Sequence, residues 1–232
     1  MRIDKFLTGH EKFKERSAGA SADLLKRLVV EGQRPEALVI CCSDSRVIPE
    51  LIMGAEPGNL FVVRNVANLV PPHASGNQSV GAAIAYAIEH LHVSHLILLG
   101  HYGCGGMAAL RDQYGGDGPA HGSDDVLPGW LAYARGSWDE LVASGHAEDA
   151  DWHERLVEEN VLQQLANAVT YPVVRRAVDA GTLVLHAWTF DLKTAHLRFW
   201  DMQQDAFVAH GMAAITGGTV TLGEIAEQDQ VK

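Results

Sequence analysis

Two short segments of this chain hold residue types that bind metals and steer protons. They are Cys42-Ser43-Asp44-Ser45-Arg46 and, much later, His101-Tyr102-Gly103-Cys104-Gly105-Gly106. Two thiolates and one imidazole make a donor set suited to zinc, and three protein ligands leave a tetrahedral ion one open position. A structural zinc site would close that position with a fourth Cys or His, and no Cys-x-x-Cys pair exists to do so. The remaining thiol, Cys41, points to the opposite face if it shares a strand with Cys42. Cys42, His101 and Cys104 are therefore the expected ligands of one zinc ion per chain, in an open and hence catalytic site.

Asp44 and Arg46 carry the rest of the chemistry. A bare aspartate beside a metal competes to become its fourth ligand. An arginine can hold the carboxylate in a bidentate fork and keep it ionised. An ionised Asp44 would accept a hydrogen bond from a zinc-bound hydroxide and orient its lone pair for attack. Asp44 stays a conditional fourth ligand, for a closed state at low pH. Each feature alone has a plainer reading. A lone His-x-x-Cys is usually a core cysteine and a hydrogen-bonded histidine, and a surface Asp–Arg pair is worth little. What tips the balance is that both segments directly follow buried strands, with Asp44 and Arg46 in fixed register.

Those strands are read from apolar runs. Ala37-Leu38-Val39-Ile40-Cys41-Cys42 is continuous, the habit of a strand buried on both faces of a parallel sheet. Leu60–Val63 and His95–Gly100 are the next two strands. A helical pattern over Ser79–Leu91 separates them, and Gly103–Arg111 is the turn and helix that follow. Both segments then sit at carboxyl ends of strands, where α/β sheets place their sites. Residues 1–32 read as a helical arm with a cap at Ser21–Asp23. A surface loop is expected over 113–128, and helices over 129–145 and 151–170. Tyr171-Pro172 forces a break or restart. Thr182–Trp188 and Ala195–Trp200 are the last strands, joined tightly enough at Asp191–Thr194 for an antiparallel hairpin. The fold class is α/β: a mainly parallel central sheet with an antiparallel edge strand, flanked by helices, in one domain over 1–232.

Composition narrows the function. With 18 Lys plus Arg against 29 Asp plus Glu, the formal net charge is −11. A surface this acidic argues against nucleic acid or an anionic membrane as partner. No apolar run approaches the roughly 18 residues of a membrane helix, and no signal-peptide pattern opens the chain. Three cysteines without an export signal fit a metal or reactive thiol better than a disulfide framework. The expectation is a soluble cytoplasmic protein. Twelve histidines carry no spacing that singles out a proton shuttle.

Cys42-Ser43-Asp44-Ser45-Arg46 with His101-x-x-Cys104 resembles the β-class carbonic anhydrases. Glu56-Pro57-Gly58, Phe61–Asn68 and Gly81-Ala82-Ala83 extend the likeness, which runs over at least residues 33–111. The resemblance implies a zinc-dependent lyase that reversibly hydrates carbon dioxide to bicarbonate and a proton through zinc-bound hydroxide. Two thiolates should leave zinc a weaker Lewis acid than three histidines would, favouring activity on the alkaline side.

The plant-type pocket of that family implies Gln33, Phe61, Val66 and Tyr86 around the substrate. Gln33 would donate to a bicarbonate oxygen, and the others would form an apolar pocket suited to carbon dioxide. Each of the apolar three also has a simpler reading as core or inner helix face. Bicarbonate-inhibited members hold a second anion with Trp, Arg and Tyr. Arg64 matches the Arg, but Val39 and Phe190 stand where the other two belong, so no regulation of that kind is expected. The resemblance further implies a homodimer, with tetramers possible by pairing, whose amino-terminal helix reaches over its neighbour. Gln33, Phe61 and Tyr86 are the residues such a dimer would share across its interface. Another small electrophile such as carbon disulfide, and a zinc-stabilised assembly protein without activity, are the competing readings.

Overall fold

A computed structural model describes residues 3–16, 20–116 and 125–209 of the chain. The domain expected over 1–232, the 1–32 arm and the 113–128 loop each include residues outside that description. Helices α1 (Asp4–Arg16) and α2 (Ala20–Glu31) come first. They are followed by β1 (Ala37–Cys42), α3 (Pro49–Ile52), β2 (Leu60–Asn65), α4 (Gln78–Glu89) and β3 (His95–His101). Next are the helices α5 (Gly105–Tyr114), α6 (Val126–Leu131), α7 (Arg135–Ala143), α8 (Trp152–Val169) and α9 (Pro172–Asp179). Strands β4 (Val184–Phe190), β5 (Leu197–Asp201) and β6 (Ala206–Ala209) close the described chain.

The six strands form one sheet in the order β2-β1-β3-β4-β5-β6. Neighbours from β2 through β4 run parallel, and β5 and β6 are antiparallel. The apolar run at 37–42 behaves as its composition demands. All six residues are buried, with Leu38 and Ile40 facing a core with α4, α8 and α9, and Val39 and Cys41 facing the other way. A third apolar cluster gathers Cys42, Ala67, Tyr102, Cys104 and the inner sides of α5, α7 and α8 at the carboxyl ends of the strands. That cluster is what the metal-binding segments fold onto.

Several boundaries differ from expectation, and each has a local cause. The helix expected over Ser79–Leu91 starts at Gln78, because the Asn77 side chain accepts the Ser79 N–H at 3.2 Å. The cap expected at Ser21–Asp23 lies inside α2, which already begins at Ala20. The stretch 129–145 is two helices joined by a 3-10 turn at Ala132–Ala134, and α6 begins at Val126 under an Asp125 cap. Pro172 restarts a helix at its first position, where the missing N–H costs nothing. The last strands lie two residues later than expected at their starts. Asp191 organises the preceding turn by accepting from Lys193 N–H and the Thr194 hydroxyl, both at 2.8 Å. A further strand, β6, follows a turn held by Asp201 and makes the antiparallel edge two strands wide.

One half-buried carboxyl gives the fold a pH dependence. Burial pushes the Glu159 carboxyl up to about 7, and the nearby Glu140, Glu158 and Asp205 add to the shift. Between about pH 4.5 and 7 the unfolded chain releases this proton while the folded chain keeps it. Stability is therefore complete below that window, declines through it and levels off above. Glu159→Gln is expected to be more stable than the parent by about 2 kcal/mol at pH 8, after discounting for solvent screening, and equal near pH 4. Thermal melts across that range check it; a gap that does not open between pH 4.5 and 7 refutes the assignment.

Candidate metal centre

Cys42 ends β1 and His101 ends β3, so two adjacent parallel strands deliver both side chains to the same edge. Gly103 turns the chain with a φ of 74°, a conformation that L side chains rarely adopt, and Cys104 becomes the N-cap of α5. The ligating atoms of Cys42, His101 and Cys104 all lie within 4.8 Å of one another. The two sulfurs are 4.0 Å apart, close to the roughly 3.8 Å between two thiolates on one tetrahedral zinc. His101 is fully buried, and its Nε2 makes no hydrogen bond. A buried imidazole nitrogen without a partner is costly unless something fills its direction, and a metal ion does. Its Nδ1 lies 3.2 Å from the Tyr102 carbonyl, which as a Nδ1–H bond leaves Nε2 free to ligate. The residues present fit a zinc ion.

Electrostatics agree with the geometry. The Cys42 thiol is pushed down, first by its contact with the Cys104 sulfur and then by the neighbouring His101 and the Asp44 and Ala67 backbone. Cys104 is pushed up by the same sulfur contact and by burial. Cys41 is fully buried on the other face, and burial drives its thiol upward. Strand alternation thus sorts the adjacent cysteines as expected.

Asp44 and Arg46 form the anticipated fork. Arg46 donates through Nε to Oδ1 at 2.9 Å and through Nη2 to Oδ2 at 2.7 Å, and its backbone N–H adds a 3.0 Å bond to Oδ1. These bonds hold the Asp44 carboxyl well below the usual carboxylate range. Its Oδ2 is 3.9 Å from His101 Nε2, at the edge of the metal centre. Arg64, from β2, donates to the Asp44 carbonyl at 2.8 Å and the Cys42 carbonyl at 3.4 Å, fixing the turn that carries the fork.

The four pocket residues divide. Val66 stands beside the centre: a Cβ at Gly106 would lie 3.4 Å from its Cγ1, and its carbonyl accepts from Trp130 Nε1 at 2.9 Å. Phe61 and Tyr86 pack together with ring centroids 5.8 Å apart, but elsewhere. Phe61 pairs with Leu38, while Asn65 pairs with Cys42, which puts Phe61 roughly 13 Å back along the strand. Gln33 precedes β1 and shares that far end. A single chain does not bring Gln33, Phe61 and Tyr86 to the metal centre.

Other contacts carry no signal in the short motifs. The Tyr102 phenol is held by Glu158, Thr189 and Arg198, and His153 Nε2 lies 3.0 Å from the Cys104 carbonyl. Asn160 and Gln164 tie the 67–70 segment to α8. Their trace in the sequence is a row of amides on a stripe that apolar residues should occupy.

The family model described as carbonic anhydrase matches residues 37–197. The carbonic anhydrase of Pseudomonas aeruginosa is 38% identical over 210 residues, covering 89% of this chain and 90% of that protein. Among solved structures, the β-carbonic anhydrase CcaA superposes with a TM-score of 0.82 at 34% identity, over 90% of this chain and 92% of that one. A tetrameric β-carbonic anhydrase of Sordaria macrospora gives 0.74 at 28% identity, over 85% and 95%. Alignment on this scale runs through both metal-binding segments and the sheet that presents them, so the chain belongs to the carbonic anhydrase family, in its β class, and interconverts carbon dioxide and bicarbonate.

Proposed function

We propose that hydration proceeds at one zinc ion per chain, held by Cys42, His101 and Cys104. The observation that carries this is the buried, unbonded Nε2 of His101, in a group whose ligating atoms with Cys42 and Cys104 all lie within 4.8 Å of one another. When bound, zinc supplies a Lewis acid that ionises water near neutral pH. The protein's own part is to aim and to exclude. Asp44, kept ionised by Arg46, accepts a hydrogen bond from the nucleophile's O–H and turns a lone pair toward the carbon of the substrate. Arg46 also reaches the Gly103 carbonyl at 3.4 Å, tying the fork to the second motif. Val66 gives carbon dioxide an apolar wall, and bicarbonate and a proton leave.

The pocket is completed in a homodimer, where a second copy supplies Gln33, Phe61 and Tyr86. Exposed apolar side chains support this: Ile3, Phe6, Leu7 and Phe13 on or beside α1, and Tyr86 itself at 45% exposure. Covering such surface is what a protein interface does. Tetramers are the higher assembly in this reading, as in the Sordaria macrospora relative. No second anion site operates beside Arg64 in this reading: its guanidinium is engaged with two carbonyls, and Val39 and Phe190 are buried and apolar. Cysteines that stay free suit the cytoplasm, where thiols remain reduced. No described helix is long and apolar enough to cross a membrane.

Stopped-flow carbon dioxide hydration on the full chain, with zinc assayed and mass measured by sedimentation, tests the reading. The expected result is fast turnover at about one zinc per chain, from a species of at least twice the chain mass. Zinc without turnover across neutral and alkaline pH overturns the mechanism, and an active monomer overturns the shared pocket.

A further inference from the structure

The turn at Val66–Asn68 is held in a costly conformation. Ala67 has a φ of 64° and a ψ of 22°, and Asn68 has a φ of 50°. Both are left-handed and neither is glycine, and such residues persist where the surroundings over-determine them. Side-chain amides fasten most of the turn. Asn65 Oδ1 accepts the Leu69 N–H at 2.7 Å, and its Nδ2 donates to the Leu69 carbonyl at 2.9 Å. Asn160 Nδ2 donates to the Ala67 carbonyl at 3.1 Å, and Gln164 Oε1 accepts the Val70 N–H at 2.8 Å. These bonds close the turn and fix the peptides that follow Ala67. None of them reaches the carbonyl of the peptide that joins Val66 to Ala67.

That peptide is the one whose rotation would relieve the strain. A peptide is planar and turns as a unit, so rolling it over changes ψ of Val66 and φ of Ala67 together. Ala67 would return to the negative φ that an L residue prefers. Both residues it joins would be loosened: Val66, which is exposed beside the metal centre, and Ala67, which packs in one cluster with Cys42 and Cys104. Trp130 opposes the rotation, because its Nε1 donates to the Val66 carbonyl at 2.9 Å. The indole is presented from a pinned helix. Gln113 Nε2 donates to the Pro128 carbonyl at 3.2 Å, and Leu131 is buried in the core. The Trp130 ring also meets Tyr133 edge-on at 5.7 Å between centroids, and Gln164 Nε2 donates to the Tyr133 carbonyl at 3.3 Å. One net hydrogen bond is about as large as the strain of one left-handed alanine. The bond from Trp130 is therefore enough to decide which way the peptide lies.

We propose that Trp130 is a positioning residue for substrate binding: its indole N–H latches the Val66–Ala67 peptide and so keeps Val66 in place as the wall that meets carbon dioxide. The inference rests on Val66 lining the pocket. The latch bonds to a carbonyl, and not to Cys42, His101, Cys104 or the fork of Asp44 and Arg46. Its loss should weaken the hold on an uncharged substrate and leave the chemical step alone. A change of that kind raises KM and spares kcat.

The test uses the full zinc-loaded chain and compares the parent with Trp130→Phe, Val66→Ala, the two combined, and Trp138→Phe. Trp130→Phe keeps an aromatic ring and removes the N–H. Trp138→Phe trims a buried tryptophan of α7 in the cluster that Trp130 packs against, a matched loss of packing. Trp130→Phe is expected to raise KM for carbon dioxide about fivefold, the size of one net hydrogen bond, with kcat within about twofold and zinc content unchanged. Amide hydrogen exchange over residues 65–70, read by mass spectrometry, should speed up about fivefold in the same variant and stay at the parent rate in Trp138→Phe. Val66→Ala should raise KM at least as far, and the combined variant no further. If Trp130→Phe does not fold, benzothienylalanine at position 130, which puts sulfur for the N–H in the same ring shape, decides. Four results overturn the inference and leave Val66 as the wall: KM and exchange unchanged in Trp130→Phe, equal changes in Trp138→Phe, zinc lost from Trp130→Phe, or a combined variant worse than Val66→Ala. An unchanged KM in Val66→Ala overturns the wall and the inference with it.

Discussion

Cys42→Ser is expected to bind no zinc after dialysis against a chelator and to lose at least about 10³-fold in hydration rate. The size follows from what the sulfur does. A serine hydroxyl stays protonated at neutral pH and is a poor ligand, so only His101 and Cys104 would remain, and two ligands do not retain the Lewis acid on which the chemistry depends. Among the described residues, no other group of three His, Cys, Asp or Glu side chains clusters closely enough to substitute. The fold should survive, because the exchange is nearly isosteric and β1 is held by its neighbours along its whole length. Cys41→Ala is the matched control. Cys41 is one residue away but on the opposite face of the sheet, so its removal should cost some stability and leave zinc content and turnover within about twofold. Metal content and stopped-flow rate, read on the two variants side by side, decide it. A Cys42→Ser protein that keeps its zinc and its rate would place the metal elsewhere.

That contrast between adjacent cysteines is the part of the site that sequence reasoning reaches most directly. Strand alternation is a rule of period two, and the run from Ala37 to Cys42 is long and apolar enough to fix both the strand and its burial. Metal-ligand types at two strand ends then define the centre without coordinates. The fork of Asp44 and Arg46 is equally local, since two residues of separation suffice for three hydrogen bonds. What failed to emerge is non-local or conformational. Ala67 gives no sign of a positive φ, because alanine is a poor choice for that region and the bonds that hold it, from the α8 amides and from the Asn65 side chain to Leu69, come from residues elsewhere in the sequence or around the turn. Strand β6 is four residues long and follows a turn set by one aspartate, too short for an alternation to register. The stretch 129–145 reads as one helix because its apolar spacing continues through the 3-10 turn that divides it. Family likeness supplied Gln33, Phe61 and Tyr86; their distance from the metal centre within one chain becomes visible only when the strand register is known.

Arg46→Ala is expected to keep its zinc and still lose about 10²-fold in turnover, the lower end of what a positioned proton acceptor contributes. Arg46 touches no ligating atom, so the metal should remain. What disappears is the restraint on Asp44: two side-chain bonds of 2.9 and 2.7 Å and the charge that keeps its carboxyl ionised. Only the backbone N–H bond to Oδ1 would remain. A carboxylate 3.9 Å from His101 Nε2 and freed on one side can swing toward the open metal position, where it blocks the nucleophile instead of orienting it. Arg46→Lys should rescue little, because a single ammonium cannot reproduce a planar two-point fork. Asp44→Asn should fall by a comparable factor, since an amide presents the wrong mixture of donor and acceptor. If the two residues work as one device, the double variant is no slower than the slower single variant. Multiplying losses would mean that Arg46 acts on the substrate independently of Asp44, and the device would have to be taken apart into two.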